Sequence, residues 1–269
     1  MIQQIISFDL CGKTAHFRKF YSSSSALSYS IPPKTTVLGI IAAIINLKRD
    51  SYYNLFDDWL VGVEVVNPFR KIFQKMNFLK VEDNVNFNVD FEKSIFSKDS
   101  DVTGFGNRTQ ISFELLIPEN IRNGELQFKI YVGIKNKEDK NFILLINALN
   151  KKESIYGISL GSASMLGYVK NFVEDYSFKP LDKNEVTNIR TGTNDGDVTL
   201  IQGTEMVVEQ DIFPTKMKLT QTDETKIPTR IAEEVKSLVY PVTSKGMSVS
   251  IINNSHFNKL NGDISIALI

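Results

Sequence analysis

The chain has 269 residues, with 42% hydrophobic and 23% charged side chains, ordinary values for a soluble globular protein of one large domain or a main domain with a smaller companion. Its 31 basic and 31 acidic residues leave a formal net charge of zero, which argues against capture of free nucleic acid by long-range attraction. Cys11 is the single cysteine and His16 and His256 the only histidines, so an intramolecular disulfide is excluded and a structural zinc site nearly so.

The first residues, MIQQIISFDL, lack the basic start and cleavage site of a signal peptide, and the longest apolar run, 35–47, is too short to cross a bilayer. The expectation is a cytoplasmic protein without a membrane partner. Charge is unevenly spread. Up to Lys80, basic residues outnumber acids, whereas from Glu174 to Glu234 acids outnumber bases. A basic first half suits a polyanion and an acidic second half suits protein neighbours, although chance asymmetry of a solvated surface reads the same.

In chain order, Ile6, Phe8 and Leu10 alternate with Ser7 and Asp9, predicting a first strand over 2–10. A polar and aromatic loop follows, ending at Pro32 and Pro33. Thr35 or Thr36 then caps a predicted helix, VLGIIAAIIN, apolar on every side and therefore buried. SYYNLFDDWL predicts a second helical stretch, and LVGVEVVNP a strand ended by Pro68. NVNFNVDF and TQISFELLIP alternate strictly, and the polar SKDSDVTGFGNR lies between them; together they predict a protruding β-hairpin. ELQFKIYVGI is the cleanest strand, EDKNFILLINALNK a helix, and ESIYGISLGSASMLGYVKNF a strand with a glycine loop.

With the hairpin set aside, the order is strand, helix, strand, strand, helix, strand. That order defines an α+β, ferredoxin-like (RRM-like) unit, its sheet covered by helices on one face. The predicted division is 1–176 for this domain, with the hairpin inserted at about 78–117, and 177–269 for a small β-rich companion built of short strands.

Single-stranded RNA is held by cations at phosphates, by aromatic faces at bases and by hydroxyls at edges. The loop KTAHFRKFYSSSS offers all three through Lys13, His16, Phe17, Arg18, Lys19 and its serines; a solvated loop with tucked aromatics is the plain alternative. Tyr29, Lys34, Thr35 and Thr36 lie in YSIPPKTT at the start of the first helix, where free amides, an ammonium and hydroxyls form a phosphate seat, or simply a capping sequence. Gly161 and Ser162 belong to a small-residue loop that lets a ligand approach the backbone, and Arg108 at the hairpin base can reach a phosphate or sit in solvent. Tyr131 and Lys129 either stack a base on the sheet or lie beneath the companion domain. His16 with Tyr21, Tyr29 and Lys34 contains the groups of a metal-independent ribonuclease, but a satisfied or RNA-contacting histidine is favoured over a general base. No acidic cluster has metal-ligand spacing, and no phosphate-binding GxxxxGK[ST] motif is present, so neither a metal nor a cofactor is expected.

Taken together, Ala15-His16-Phe17-Arg18, Ser28-Tyr29, Pro32-Pro33, Thr35-Thr36 and Gly39 closely resemble the opening signature of the CRISPR-associated Cas-five family. NPFRKIFQKMN, RTQISFELL and SLGSAS are similar to its downstream landmarks, so the resemblance spans most of the chain and looks closest to type I-B members. It implies a RAMP-type protein with an inserted thumb hairpin and a small C-terminal β domain. Such a protein caps the 5′ handle of the CRISPR RNA in a Cascade complex and contacts the large subunit and the first backbone subunit. Target DNA is then reached only indirectly, through guide pairing. The AHFRK and YSIPPKTT positions become the implied handle contacts. Some members cleave repeat RNA with a Tyr–Lys–His set that has no convincing counterpart here. The expectation is therefore a non-enzymatic subunit, with a metal-independent endoribonuclease as the alternative.

Overall fold

The computed structural model describes residues 2–22, 25–79, 108–201, 205–220, 229–253 and 256–269. The first part of the chain contains β1 (Gln4–Gly12), β2 (Phe17–Arg18), β3 (Ser28–Tyr29), α1 (Lys34–Ile44), β4 (Leu60–Val65), β5 (Phe69–Leu79), β6 (Arg108–Pro118), β7 (Leu126–Ile134), α2 (Lys140–Lys151), β8 (Ile158–Ser159) and β9 (Leu166–Val173). The main sheet has the order β4-β7-β1-β9-β8 and is antiparallel throughout. β1 thus sits centrally, with Gln4 opposite Ile134 and Gly12 opposite Leu126.

Period-two alternation gives the sheet two different faces. Ile6, Phe8 and Leu10 point to the helix side and join Phe128, Ile130, Val132, Ile41, Phe142 and Leu145 in the principal core. α1 is apolar almost all round and buries Val37, Leu38, Ile40, Ile41, Ala42 and Ile44. α2 is amphipathic and buries only Phe142, Leu145 and Leu149; Asp139 caps it by accepting from the amides of Asn141 and Phe142.

The second part contains β10 (Phe178–Pro180), β11 (Val186–Ile189), β12 (Thr193–Asn194), β13 (Val198–Leu200), β14 (Val208–Thr220), β15 (Thr229–Pro241), β16 (Met247–Ile251), β17 (Phe257–Leu260) and β18 (Ile264–Ala267). Six of these form a sheet of order β10-β17-β18-β11-β16-β13. This part covers the outer face of the main sheet. Tyr131 lies there, buried with Ile5, Leu60, Tyr176, Leu260, Ile266 and Leu268, and its hydroxyl donates to Glu64 at 2.7 Å. Of the two readings of Tyr131, burial beneath the second part is the one observed. Close approach is possible because the main sheet has glycine there: a Cβ on Gly133 would lie 2.6 Å from Leu268 Cδ1. The second part also enters the principal core through Phe213, Leu238 and Tyr240.

Four sequence expectations change. SYYNLFDDWL forms turns rather than a helix, although Phe56 and Trp59 are buried. No side chain caps α1; Pro33 occupies that position, and Thr35 and Thr36 lie within the first turn. The strand paired with β6 is β5, Phe69 opposite Pro118 through Leu79 opposite Arg108, so the hairpin begins earlier than expected. NVNFNVDF and the hairpin tip lie outside the described residues. After Tyr176 the strands are not all short, for β14 and β15 form a ribbon of 13 residues per strand.

Candidate nucleic-acid interface

The segment from Lys13 to Thr36 is clamped between three neighbours. Ala15 exchanges backbone hydrogen bonds with Leu116 on β6, and the His16 amide donates to the Leu160 carbonyl at 3.0 Å. Tyr29 is fully buried, stacks on Phe213 with ring centroids 4.2 Å apart and donates its hydroxyl to the Ile212 carbonyl at 2.6 Å. Glu209 accepts from Ser30, from Tyr240 at 3.0 Å and from Lys71 at 3.1 Å, tying the segment to both ribbons. Burial pushes the Glu209 carboxyl up, but these donors outweigh it and hold the group below the ordinary carboxylate range.

This clamp corrects part of the expected contact set. The Phe17 ring is buried against Phe128 and the Tyr29 ring is sealed under β14, so neither presents a face to a base. His16 is 4% exposed; its Nδ1 pairs with the Glu114 carbonyl at 2.7 Å, and its Nε2 is buried without a partner. Burial pushes its pKa down, a shift the Glu114 carbonyl opposes and nearby Arg18 reinforces. Lys19 is also committed: it pairs with Asp211 at 2.6 Å, and Tyr21 donates to the same carboxylate at 2.6 Å. Acids of the second half therefore neutralise cations of the first within one chain, and the charge asymmetry is partly internal.

Other predicted residues stay accessible. Lys13 is exposed and donates to the Gly124 carbonyl at 2.7 Å, and Arg18 is exposed on β2. Arg108 begins β6 opposite Leu79, and its side chain lies outside the described part. Ser162, half-buried, is 3.3 Å from Ser164 across the loop turn.

Four predicted residues meet at one place. Thr35, Thr36 and Gly161 line a groove of about 320 Å³ along the first two turns of α1, with Gly39, Ser159, Tyr52, Tyr53 and Arg230 as further walls. Lys34 lines an adjoining recess of about 170 Å³ with Thr35, Tyr52, Tyr53, Thr215 and Glu234. Gly161 is required by close packing and by conformation: its φ is +90°, and a Cβ there would fall 2.0 Å from the His16 carbonyl oxygen. At the helix start the amides of Thr36 and Val37 turn back to the Pro33 carbonyl, and the first turn carries no acidic residue. Lys34 has no carboxylate within ion-pair distance among the described residues. Burial, reinforced by Lys236, pushes its ammonium down to about 8, with Glu234 and Asp57 opposing.

Tyr52, Tyr53 and Arg230 were missed in the sequence. Arg230 forms a two-point pair with Asp50 (2.8 and 2.9 Å), and Tyr53 donates to Asp50 at 2.7 Å, which fixes the β14–β15 ribbon over the groove. Gly39 makes room for Tyr52, since a Cβ there would sit 2.8 Å from the Tyr52 hydroxyl.

No family model and no curated protein matches the chain. Among solved structures, a CRISPR protein from Archaeoglobus fulgidus superposes over 100% of both chains with a TM-score of 0.56 at 14% identity. The fold is shared with that protein. Looser similarities are a chain of a CRISPR RNA-guided surveillance complex (TM-score 0.43, 12% identity, 92% of this chain and 90% of that one) and a Cas protein (0.38, 14%, 90% and 98%). No helix among the described residues is long and apolar enough to cross a membrane, and no group of three or more potential metal ligands occurs among them.

Proposed function

We propose that this chain is a non-catalytic, RNA-binding subunit of a CRISPR RNA-guided surveillance complex, a ferredoxin-like RAMP protein of the Cas-five kind that grips the 5′ handle of the guide RNA. The strand order β4-β7-β1-β9, with α1 and α2 as crossovers, supports the ferredoxin-like reading, and the full-length likeness to a CRISPR protein supports the same lineage. Fold alone does not determine function. The observation that carries the reading is the meeting of the α1 start, Lys34, Thr35 and Thr36, with the Gly161 turn at one groove.

A helix start without an acidic residue suits a phosphate, the threonine hydroxyls supply further donors, and the Gly161 turn, packed on the His16 carbonyl, forms another wall of the groove. Tyr52 and Tyr53 are among the walls of the groove, while Arg18 and Lys13 are exposed cations elsewhere on the same segment. A net charge of zero fits a subunit that meets a short RNA segment by local complementarity and uses its remaining surface on protein neighbours, here a large subunit and a backbone subunit of a type I-B-like assembly. DNA specificity would then rest with guide pairing. The closed surroundings of His16, 4% exposed with its Nδ1 held at the Glu114 carbonyl, speak against a general base at that position.

The test is guide-RNA retention after co-expression with a CRISPR array. Arg18→Ala combined with Lys34→Ala should lower co-purifying guide RNA about tenfold with the fold intact, since two cationic phosphate contacts are lost. Undiminished retention rejects the assignment. Labelled repeat RNA incubated with the protein in EDTA should remain whole; cleavage that disappears in His16→Ala would make the chain an endoribonuclease instead.

A further inference from the structure

The main sheet has an open edge beside an apolar slot. β9 is paired with β1 along most of its length, but on its other side β8 covers only Leu166 and Gly167, opposite Ser159 and Ile158. A strand continued from β8 would lay residues 154–157 beside 168–171. Instead the chain turns aside there, and the amides of Ile155 and Tyr156 donate to the carbonyls of Ile44 and Ala43 at the end of α1. The space left is a groove of about 340 Å³ between β9 and the α2 end, lined by Ile44, Leu149, Tyr156, Val169 and Phe172. Its rim carries exposed apolar groups: Ile155 is 62% and Tyr156 51% accessible.

Exposed sheet edges are ordinarily blunted by lysine, proline or a bulge. Here Lys170 is drawn to the outer sheet face by Glu125, and the bulge, with Asn171 at φ 52°, comes only at the far end. Backbone groups along an edge are matched by the backbone of another extended chain, and alternate side chains of such a chain fill an apolar slot beside it. Lys152, Glu153 and Lys170 all border the groove, and Glu125 already pairs with Lys170, so the charge there cancels and an uncharged strand suits it best.

We propose that this slot receives an extended, uncharged apolar segment of a protein partner, added antiparallel to β9 in line with β8. The proposal stands independently of the RNA groove.

Short displayed peptides of random sequence, selected on the full chain, provide the probe. Enriched peptides should alternate β-branched or aromatic residues with neutral polar ones, and the bound peptide should slow amide exchange at 168–172 about tenfold or more. Tyr156→Asp should weaken binding about tenfold, whereas Phe73→Asp on β5 should leave it unchanged. Tyr156 and Ile155 are both exposed, so Ile155→Asp gives the same reading should the first variant fold poorly. Absence of enrichment, enrichment of charged peptides, indifference to Tyr156→Asp, or unchanged exchange at 168–172 overturns the proposal. Self-association of the chain lost in Tyr156→Asp also overturns it, by making the occupant a second copy.

Discussion

Two halves of one short segment behave in opposite ways. His16, Phe17, Ser28, Tyr29 and Ser30 are sealed against β6, the main sheet and the β14–β15 ribbon, while Arg18, Lys34, Thr35 and Thr36 face solvent or the groove. In sequence they form a single aromatic and basic stretch. In the fold the rings anchor and the remaining polar groups are left for a ligand. A loop rich in both rings and cations is thus a mounting as much as a binding surface, and substitutions in the two halves should differ in what they damage.

The largest effect belongs to the anchors. Tyr29→Ala removes a buried ring stacked on Phe213 and should cost about 3–5 kcal/mol in denaturant unfolding, whereas Tyr29→Phe loses only the hydrogen bond to Ile212 and should cost about 1 kcal/mol. A stable alanine variant would erase the distinction between the halves. Next comes the tie from Glu209. Glu209→Gln should cost about 1–3 kcal/mol, because Ser30, Lys71 and Tyr240 all donate to the carboxylate. Its pKa is lowered in the fold, so its stabilisation is complete above the unfolded carboxylate value and is lost as pH falls through the lowered one. The gap between wild type and Glu209→Gln should therefore narrow in acid thermal melts; a gap that widens sinks the account.

Legibility from sequence followed how completely each element is buried. β1, β4, β7, α1 and α2 pack against the principal core, and their apolar periods are clean. β5 was not recognised as a strand because FRKIFQKMNFL mixes charge and apolar residues on both faces, leaving Ile72 and Phe73 exposed. The β14–β15 ribbon was missed for a similar reason. Only its base enters the core, through Phe213, Leu238 and Tyr240, while Ile212, Val235 and Leu219 remain exposed among lysines and glutamates. In SYYNLFDDWL the spacing of Tyr53, Phe56 and Leu60 imitates a helix, yet the segment forms turns, from which Phe56 and Trp59 are buried. At the groove, Lys34, Thr35 and Thr36 were visible because a helix start is a local feature. Tyr52 and Arg230 were not, because only tertiary packing brings 52 and 230 together.

The smallest expected effect concerns the groove half of the segment, where a group is held at a disadvantage. Lys34 keeps an ammonium in a half-closed recess without an ion-pair partner among the described residues, and burial lowers its pKa to about 8 from the usual 10.5. Between those values the unfolded chain binds more protons than the folded one, so this group's contribution to stability improves as pH rises through that window. Lys34→Met removes the penalty at every pH. The variant should melt higher than wild type at neutral pH, by on the order of 1 kcal/mol after screening, and the two should converge above about pH 10.5. A difference that stays constant or grows with pH would show that Lys34 is not penalised in the fold. Convergence would mark it as a cation kept uncompensated at the groove, the reverse of Lys19, whose charge is already satisfied by Asp211. An RNA phosphate in that recess should then supply the missing partner and raise the Lys34 pKa, which a titration of the lysine resonance with and without handle RNA would read directly.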